Sequence, residues 1–520
     1  MSNDLQEALT AAGAAALVQK QIDPVLLEYQ RRYAPLVRAL PSTKWGSTVY
    51  YFNKRTTLPS GGFVTDGGAR PVSTSNYAQE NFQIRLLQSV GAVTGYSQAV
   101  TADLIGDLRA REIEGAARGL YWDMESAILW GAEAPTVAGP YPQFDGLDVI
   151  CSSFTSASTG GPSTGVGGGA IDNYGGAKGA NGWGAPAYTS TNPWTDGVDQ
   201  NAIDMKSGQL TLGGLDLLID LVESNVAEPV ENSEWMFLMS PAANSRLSQL
   251  LINQQRFVDQ TEIAAGLIVP TYRGVPVVKS SFLSPRTNQM GAVTAAAGGT
   301  GILVNGTTYN YQIAPVIARF GEIQASAAAS FAAVTTTAQA IKLTFSTPTG
   351  PEGSQPTHYK VYRDNSVSGS TSTVTLIGIV DANYLDSSGN IWPVTQIVDN
   401  GTGLVISDGT HAATNQSSTY QYANTGLKPL TSNGEQSIYL MSRDANYITR
   451  PFVREMQPVN VYPTTASPDS LPFAFVADTT LAVRAPKYIG RLANVRAALD
   501  STSGNGSFQT STWSPNYIVD

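Results

Sequence analysis

Few residues in this 520-residue chain are of a type that does chemistry. It carries one cysteine, Cys151, and two histidines, His358 and His411. One thiol excludes an intrachain disulfide, a thiolate zinc site and a cysteine-ligated cluster. Two imidazoles exclude an HExxH zinc motif and a three-histidine metal site, and leave almost no candidate for a proton relay. His358 lies in THYKVYRD and His411 in DGTHAATN. Asp408 stands three residues before His411, but no hydroxyl and carboxylate pattern marks either imidazole,. Both are expected as surface histidines of a β unit. The carboxylate pairs Glu112/Glu114 and Asp123/Glu125 are spaced i,i+2 on a helical stretch, so the members of each pair do not share a face,. They are expected as solvated or inter-subunit charges, not as a general acid and base.

The string GVGGGA at 165–170 formally fits the G-x-G-x-x-[GA] dinucleotide fingerprint. That fingerprint needs a strand before it and a helix after it, and its flanks here are Gly-, Ser- and Thr-rich, so a loop is expected. No G-x-x-x-x-G-K-[ST] loop occurs,. Among the eight tryptophans, Trp45, Trp122, Trp130 and Trp235 are expected in core or interface packing, and Trp183, Trp194, Trp392 and Trp513 complete the set,. The expectation is no catalytic residue, no cofactor and no metal.

The elements that would position any site are easier to read. Asn3 or Ser2 caps an Ala-rich amphipathic stretch through Gln19, and Asp23-Pro24 starts a second helix that Pro35 and Pro41 end,. Residues 45–95 read as a two-stranded excursion with a Gly/Pro tip at Pro59, Gly61, Gly62, Gly67 and Gly68,. A hairpin of that size is marginal alone and needs a surface to lie on. Residues 101–130 read as one helix, with Leu104, Leu108, Ile113, Ala116, Leu120, Met124 and Ile128 on one face, Thr101 as cap and Gly131 at the end,. Thirty residues make a rod of about 45 Å.

Twelve glycines between Cys151 and Gln200 mark a long irregular passage,. Helix, buried strand and helix follow in GGLDLLIDLVESN, SEWMFLMS and PAANSRLSQLL, then a hairpin in IAAGLIVPTYRGVPVVKSSFL. Residues 325–425 read as short strands at sandwich spacing, and 436–497 as longer strands,. No internal repeat of fixed period is present.

Composition narrows the class. Lysine and arginine total 31 against 41 acidic residues, a net charge of −10. That balance argues against a broad basic face for nucleic acid or anionic membrane. Only 14% of residues are charged, where about 25% is usual,. Such a surface fits either coverage by neighbouring subunits or an extracellular β protein. No stretch reaches the roughly 18 apolar residues that span a bilayer. With Asp4 and Glu7 near its start, the chain does not read as opening on a secretory leader,. A soluble protein made in a reducing cytosol is expected.

The order of parts resembles the major capsid protein of tailed bacteriophages, of the Hong Kong 97 type. The resemblance is carried by the long loop at 50–89, ESAILWG at 125–131, PQFDGLDVI at 142–150, SEWMFLMSPAANSRLSQLL at 233–251, YRGVPVVKSSFL at 272–283 and DTTLAVRAPKYIGRL at 478–492. None is specific alone; together they arrive in the family's order. The implied fold is α+β. It comprises an N-terminal arm (1–44), an E-loop hairpin (45–95), a P-domain with its spine helix (96–150), a Gly-rich loop (151–204) and an A-domain (205–324). An all-β sandwich insertion of immunoglobulin or fibronectin-III type (325–430) follows, with its own core, then return strands and a tail (431–520). The insertion and the length of the Gly-rich loop depart from the basic pattern.

The implied function is structural: a subunit that assembles with itself, as hexamers and pentamers, into the icosahedral head enclosing the double-stranded DNA of a tailed phage. It would meet that DNA without sequence-specific binding, touch no membrane, and have scaffolding, portal and decoration proteins as further partners. Its place would be the virion, after assembly in the host cytoplasm. An encapsulin-type compartment shell shares the resemblance but lacks so large an insertion. From another class, a secreted or surface adhesin with a carbohydrate-binding β module would call for a leader, tandem modules or disulfides. Some members of the capsid family join a loop lysine to a neighbour's asparagine. Lys54 is the one lysine between Lys44 and Lys178, with Asn460 and Asn494 as possible acceptors. An unperturbed amine is almost wholly protonated at neutral pH, so a shell without that cross-link is expected, with Lys54 in an ordinary salt bridge to the next subunit.

Overall fold

The computed structural model describes residues 35–151, 201–331, 339–411, 417–419 and 429–496. Short breaks fall at 58, 60, 70–73, 102–106, 134–139, 206–207, 232–233, 254–259, 265–266, 284–289, 304–307, 350–353, 365–373, 402, 431–434, 460 and 463–468. The arm before Pro35, the string GVGGGA with the Gly-rich passage, and Trp183, Trp194, Trp513 and Asn460 lie outside the described residues.

A 23-residue helix, Leu108–Trp130, is the axis of the first layer. It starts later than the spacing suggests. Thr101 ends a separate short helix, Gly95–Thr101, and the long helix is capped by Asp107, whose side chain accepts from the Ala110 amide. A carboxylate is at least as good a cap as a threonine hydroxyl and also answers the helix dipole, so Asp107 displaces Thr101 in that role. The rod is thus about 35 Å long. Gly131 does close it, but at φ −57°, outside the left-handed region. Glycine is needed there for space: a Cβ would lie 2.4 Å from both the Ala127 and the Phe144 carbonyl oxygens.

The helix lies along a six-stranded sheet. Strand Arg85–Thr94 pairs antiparallel with Ser470–Thr479 over ten residues, and Gln457–Val459, Ile448–Phe452, Ala482–Val483 and Ser42–Lys44 complete the sheet. The long excursion is therefore shorter than 45–95. Only Val49–Thr57 and Asn76–Gln83 form the hairpin, and its expected last limb belongs to this sheet. Pro35 is the N-terminal flank of a short helix, Leu36–Ala39, and the helix expected before it lies outside the described residues.

A seven-stranded mixed sheet forms the second layer, in the order Ala202–Asp204, Ile489–Arg496, Glu435–Ser442, Trp235–Met239, Val275–Lys279, Leu267–Tyr272, Gln260–Ala264. Its central strand, WMFLM, is buried on both faces. Met236 and Leu238 join the cluster around the long helix. Trp235, Phe237 and Met239 face the helices Leu212–Val226 and Pro241–Asn253. One continuous apolar run thus serves two cores through the period-2 alternation of a strand.

Two five-stranded sheets make the third part. One holds Thr294–Leu303, Gln339–Thr344, Gln396–Asp399, Gly403–Ser407 and Ser417–Thr419; the other holds Gly321–Glu322, Tyr309–Ile317, Ala329–Phe331, Pro356–Asp364 and Val374–Asp381. Ile341, Leu343 and Ile397 from the first meet Tyr311, Tyr359 and Val361 from the second in one buried cluster. Asp399 of the first sheet accepts from Tyr311 and pairs with Arg363 of the second, each at 2.7 Å. The expected boundary at 325 falls inside this part, because Thr294–Leu303 pairs with Gln339–Thr344 and Tyr309–Ile317 with Pro356–Asp364. Alternating apolar strands before 325 look alike whichever sheet receives them, and register is settled by the partner strand.

Gly131→Ala should raise strain at the end of the long helix. Loss of stability by about 1–3 kcal/mol, read as a lowered denaturation midpoint with unchanged far-UV dichroism, is expected. A variant as stable as the native chain would show that the helix end and the Phe144 segment separate freely.

Candidate functional site: a buried charge junction and an unpartnered hairpin

The two histidines part company. His358, on strand Pro356–Asp364, is only 2% exposed, against the expectation of a surface residue. Its Nδ1 lies 3.0 Å from the Thr357 hydroxyl. Burial, aided by the nearby Lys360 ammonium, pushes its pKa down to about 3, so the ring is neutral,. Strand alternation explains the placement: Tyr359 and Val361 point into the cluster between the two five-stranded sheets, leaving His358, Lys360 and Tyr362 for the opposite face,.

His411 is at the surface and pairs with Asp408 at 2.7 Å. Asp408 also accepts the Thr410 and His411 amides, and these bonds outweigh burial to hold its carboxyl well below the usual range. Trp392 stacks on the imidazole with ring centroids 3.9 Å apart, and Tyr384 donates to the His411 carbonyl. A neighbouring carboxylate, Asp386, takes the Trp392 indole N–H and the Ser388 and Asn390 amides. The Tyr384 hydroxyl is engaged with backbone groups on both sides and is not directed at the imidazole. Each of these polar groups is consumed in closing a turn.

The helix carboxylates also diverge. Glu114 pairs with Arg118 in solvent, and Asp123 holds Arg319 through two hydrogen bonds of 2.6 and 2.9 Å. Glu125 is fully buried, contrary to its reading as a solvated or inter-subunit charge. It accepts from the Val37 amide at 3.2 Å and the Ser280 hydroxyl at 2.9 Å, so one carboxyl ties the segment after Pro35 and the seven-stranded sheet to the long helix. Burial, only partly offset by those hydrogen bonds, lifts it from its ordinary 4.5 to about 8. Trp122 and Trp235 are buried, Trp130 donates to the Phe282 carbonyl, and Trp45 packs edge-on to Tyr50. Cys151 is buried with its thiol pushed up by burial. Asn494 is 7% exposed in the final strand, which takes it away from any neighbour's lysine. The Lys54 backbone pairs with Ala78; its side chain lies outside the described atoms.

The largest charged constellation was invisible to motif reading. Lys360 contacts Asp148, on the short helix Leu147–Ile150, and Glu322 Oε2 at 2.5 Å. Tyr362 donates to Glu322 Oε1 at 2.9 Å. Arg491, in the last strand, lies 2.9 Å from Asp148 Oδ1 and donates to the Asp148 and Cys151 carbonyls and to Ser437. All four charged side chains are at most 4% exposed. Two cations and two anions balance. Burial opposes the charge on Lys360, but the two carboxylates outweigh it and raise its pKa; burial likewise opposes Asp148, and Lys360 and Arg491 hold it low. The one sequence signal was local: a lysine inside HYKVYRD and an aspartate inside GLDVI, each in an apolar alternation.

The hairpin Val49–Thr57/Asn76–Gln83 is the opposite case. At its base Tyr50 and Phe82 are buried and Phe52 stacks on Phe82 at 5.8 Å. Its other face carries Tyr51 at 46% and Tyr77 at 66% exposure, and Phe63 at the tip is fully exposed. Among the described residues neither strand pairs with a third. Also among them, no group of three or more His, Cys, Asp or Glu side chains comes together to hold a metal. No described helix is long and apolar enough to cross a membrane.

No family model matches this chain. No curated protein matches it. Solved structures do align with it. The holo-SrpI encapsulin complex from Synechococcus elongatus PCC 7942 aligns at 10% identity and TM-score 0.41, over 95% of this chain and 98% of that one. The capsid of a native GTA particle aligns at 10% identity and TM-score 0.42, over 94% and 100%. Mycobacterium phage Bobi aligns at 8% identity and TM-score 0.40, over 94% and 98%.

Glu125 makes stability depend on pH in a definite direction. The folded chain keeps a proton that the unfolded chain gives up near 4.5, so the stability tied to this proton is full below that value and is lost as pH rises to about 8,. Glu125→Gln can offer its carbonyl to Val37 N–H and its amide to the Ser280 oxygen without any proton to lose. The melting temperature of the native chain should therefore fall more steeply between pH about 5 and 9 than that of the variant. Parallel profiles would show that Glu125 ionises freely.

Proposed function

We propose that this chain is a shell-forming structural subunit, of the Hong Kong 97 type that its order of parts resembles. One observation carries the reading: a two-stranded hairpin presents Tyr51, Tyr77 and Phe63 largely to solvent, and among the described residues neither of its strands pairs with a third. A lone pair of strands is marginal in water, and exposed aromatics on unpaired edges invite association. Burying one such ring is worth about 1.5–3 kcal/mol, so a few per subunit, repeated by symmetry, bind a closed assembly firmly.

The rest of the chain supports the same reading. The parts follow in the capsid order: arm, hairpin, long helix, helix-flanked sheet, return strands. The additional pair of five-stranded sheets is read as a decoration of the immunoglobulin-like kind, anchored on the long-helix layer. Subunits would form hexamers and pentamers of an icosahedral head, and the net charge of −10 suits a wall that encloses DNA without adhering to it,. Scaffolding, portal and decoration proteins would be its further partners. No catalytic role is proposed.

Phe63→Ser with Tyr77→Ser tests this. The double variant should keep the thermal midpoint of the native subunit, since both side chains are exposed, and should fail to form the rings or closed shells that the native chain shows by electron microscopy. Native protein that stays a folded monomer at every concentration would refute the shell reading. Particles lacking DNA when isolated from their natural source would favour the encapsulin-type compartment.

A further inference from the structure

Strand Arg85–Thr94 has a free edge. It pairs with Ser470–Thr479 through ten residues without a bulge, and among the described residues no strand lies on its other side. Sheet edges are commonly guarded by lysine, proline, a bulge or shortness. This one is long and regular, holds neither lysine nor proline, and carries its one charge, Arg85, at the end. Its alternate residues also leave one face open, with Leu86 57% and Val90 63% exposed. In register with Val90 stand Ala474 and then Val459, so an apolar row crosses the sheet and stops at the edge,.

We propose that this edge pairs antiparallel with the same edge of a second copy, about a two-fold axis at Val90. The inference rests on the shell reading and adds a second kind of contact to it. A hairpin docking on a neighbour is a heterologous contact and closes rings, whereas an isologous contact joins one ring to the next. The edge is self-complementary in this register. Val90 meets Val90 of the other copy, Gln88 meets Ala92, Leu86 meets Thr94, and Arg85 meets Gly95. Directly opposed residues share a face, so the row Val459, Ala474, Val90 continues into Val90, Ala474, Val459 of the second copy,. The charges fit as well. The exposed Asp469 carboxylate accepts the Tyr96 amide and lies on the side of Gly95 where a Cβ would stand, 2.4 Å from that point. Arg85, which holds its own Glu133 through Nη2, arrives opposite Gly95 and so beside this carboxylate. Only the register centred on Val90 sets these two positions against each other. Arg85 to Gln88 also border an open groove of 750 Å³ that runs toward residues 140–144 and 316–318. It gives room to the end of the incoming strand and to the 75% exposed Tyr96 that follows it.

Disulfide trapping in the full chain tests the pairing. Cys151 is buried, so a cysteine placed on the edge supplies the exposed thiol. Opposed residues at the axis have Cα atoms about 4.5–5.5 Å apart, within disulfide reach. Two Leu86 residues would stand eight positions apart along the pair, about 27 Å. Assembled Val90→Cys particles, mildly oxidised and run on a denaturing gel without reductant, should give mostly dimer, and Leu86→Cys particles monomer. Val90→Cys particles that stay monomeric overturn the pairing and leave the shell reading standing. Equal dimer from both variants overturns it too, because no fixed register would then exist. Val90→Lys sets two ammonium groups against each other at the axis. Closed shells should fall about tenfold in favour of free rings, at an unchanged thermal midpoint of the subunit. Undiminished shells would overturn the pairing, and a native chain that never assembles under electron microscopy defeats both readings.

Discussion

Four charges without water oblige distant parts of this chain to meet. Asp148 follows the long helix, Glu322 and Lys360 belong to the five-stranded sheets, and Arg491 is in the last strand of the seven-stranded sheet. A single ion at such depth would cost several kcal/mol, and removing one partner of a buried pair costs about 3–5 kcal/mol because the other is stranded. The layers therefore cannot slide or separate independently, since any shift that parts Lys360 from Asp148 exposes a deficit on both sides. Apolar packing supplies the bulk of the cohesion and is tolerant of small shifts; the charges are not.

Glu125 answers the same constraint differently. Its carboxyl receives backbone amides of the segment after Pro35 and the Ser280 hydroxyl, and burial raises its pKa until it holds a proton near neutrality. A neutral acid suits a junction between three segments because its two oxygens can accept from the Val37 amide and the Ser280 hydroxyl without burying a charge,. The chain thus uses charge pairing where three layers meet and protonation where the segment after Pro35 docks.

What the sequence could tell follows from which signals are local. The helices Leu212–Val226 and Pro241–Asn253, the strand WMFLM and the hairpin pairing were legible, because apolar period and punctuation lie within a dozen residues. The start of the long helix was not: Thr101 and Asp107 both qualify as caps, and the apolar stripe runs past each. The placement of Thr294–Leu303 and Tyr309–Ile317 was not legible either, since it depends on partner strands after residue 338. The buried junction was the least legible feature. Asp148 and Lys360 form no motif, and only the fold brings them together. Glu125 and His358 were misjudged for a related reason: charge and titratability suggest a surface, whereas a helix face or a strand face is decided by what packs against it.

The strand Pro356–Asp364 shows why the five-stranded sheets are not a simple appendage. Its odd positions, Tyr359 and Val361, belong to the cluster between those sheets. Its even positions, His358, Lys360 and Tyr362, lie on the opposite face, where Lys360 meets Asp148 beyond the long helix and, with Tyr362, Glu322 of its own sheet. Turning this strand by one residue would put a lysine into the apolar cluster and take the ammonium away from Asp148 and Glu322,. One register therefore satisfies both sides at once. Folding of the sheets and docking onto the helix layer are coupled through that single strand, whereas the hairpin is tied only to the long-helix cluster, through Tyr50 and Phe82 at its base.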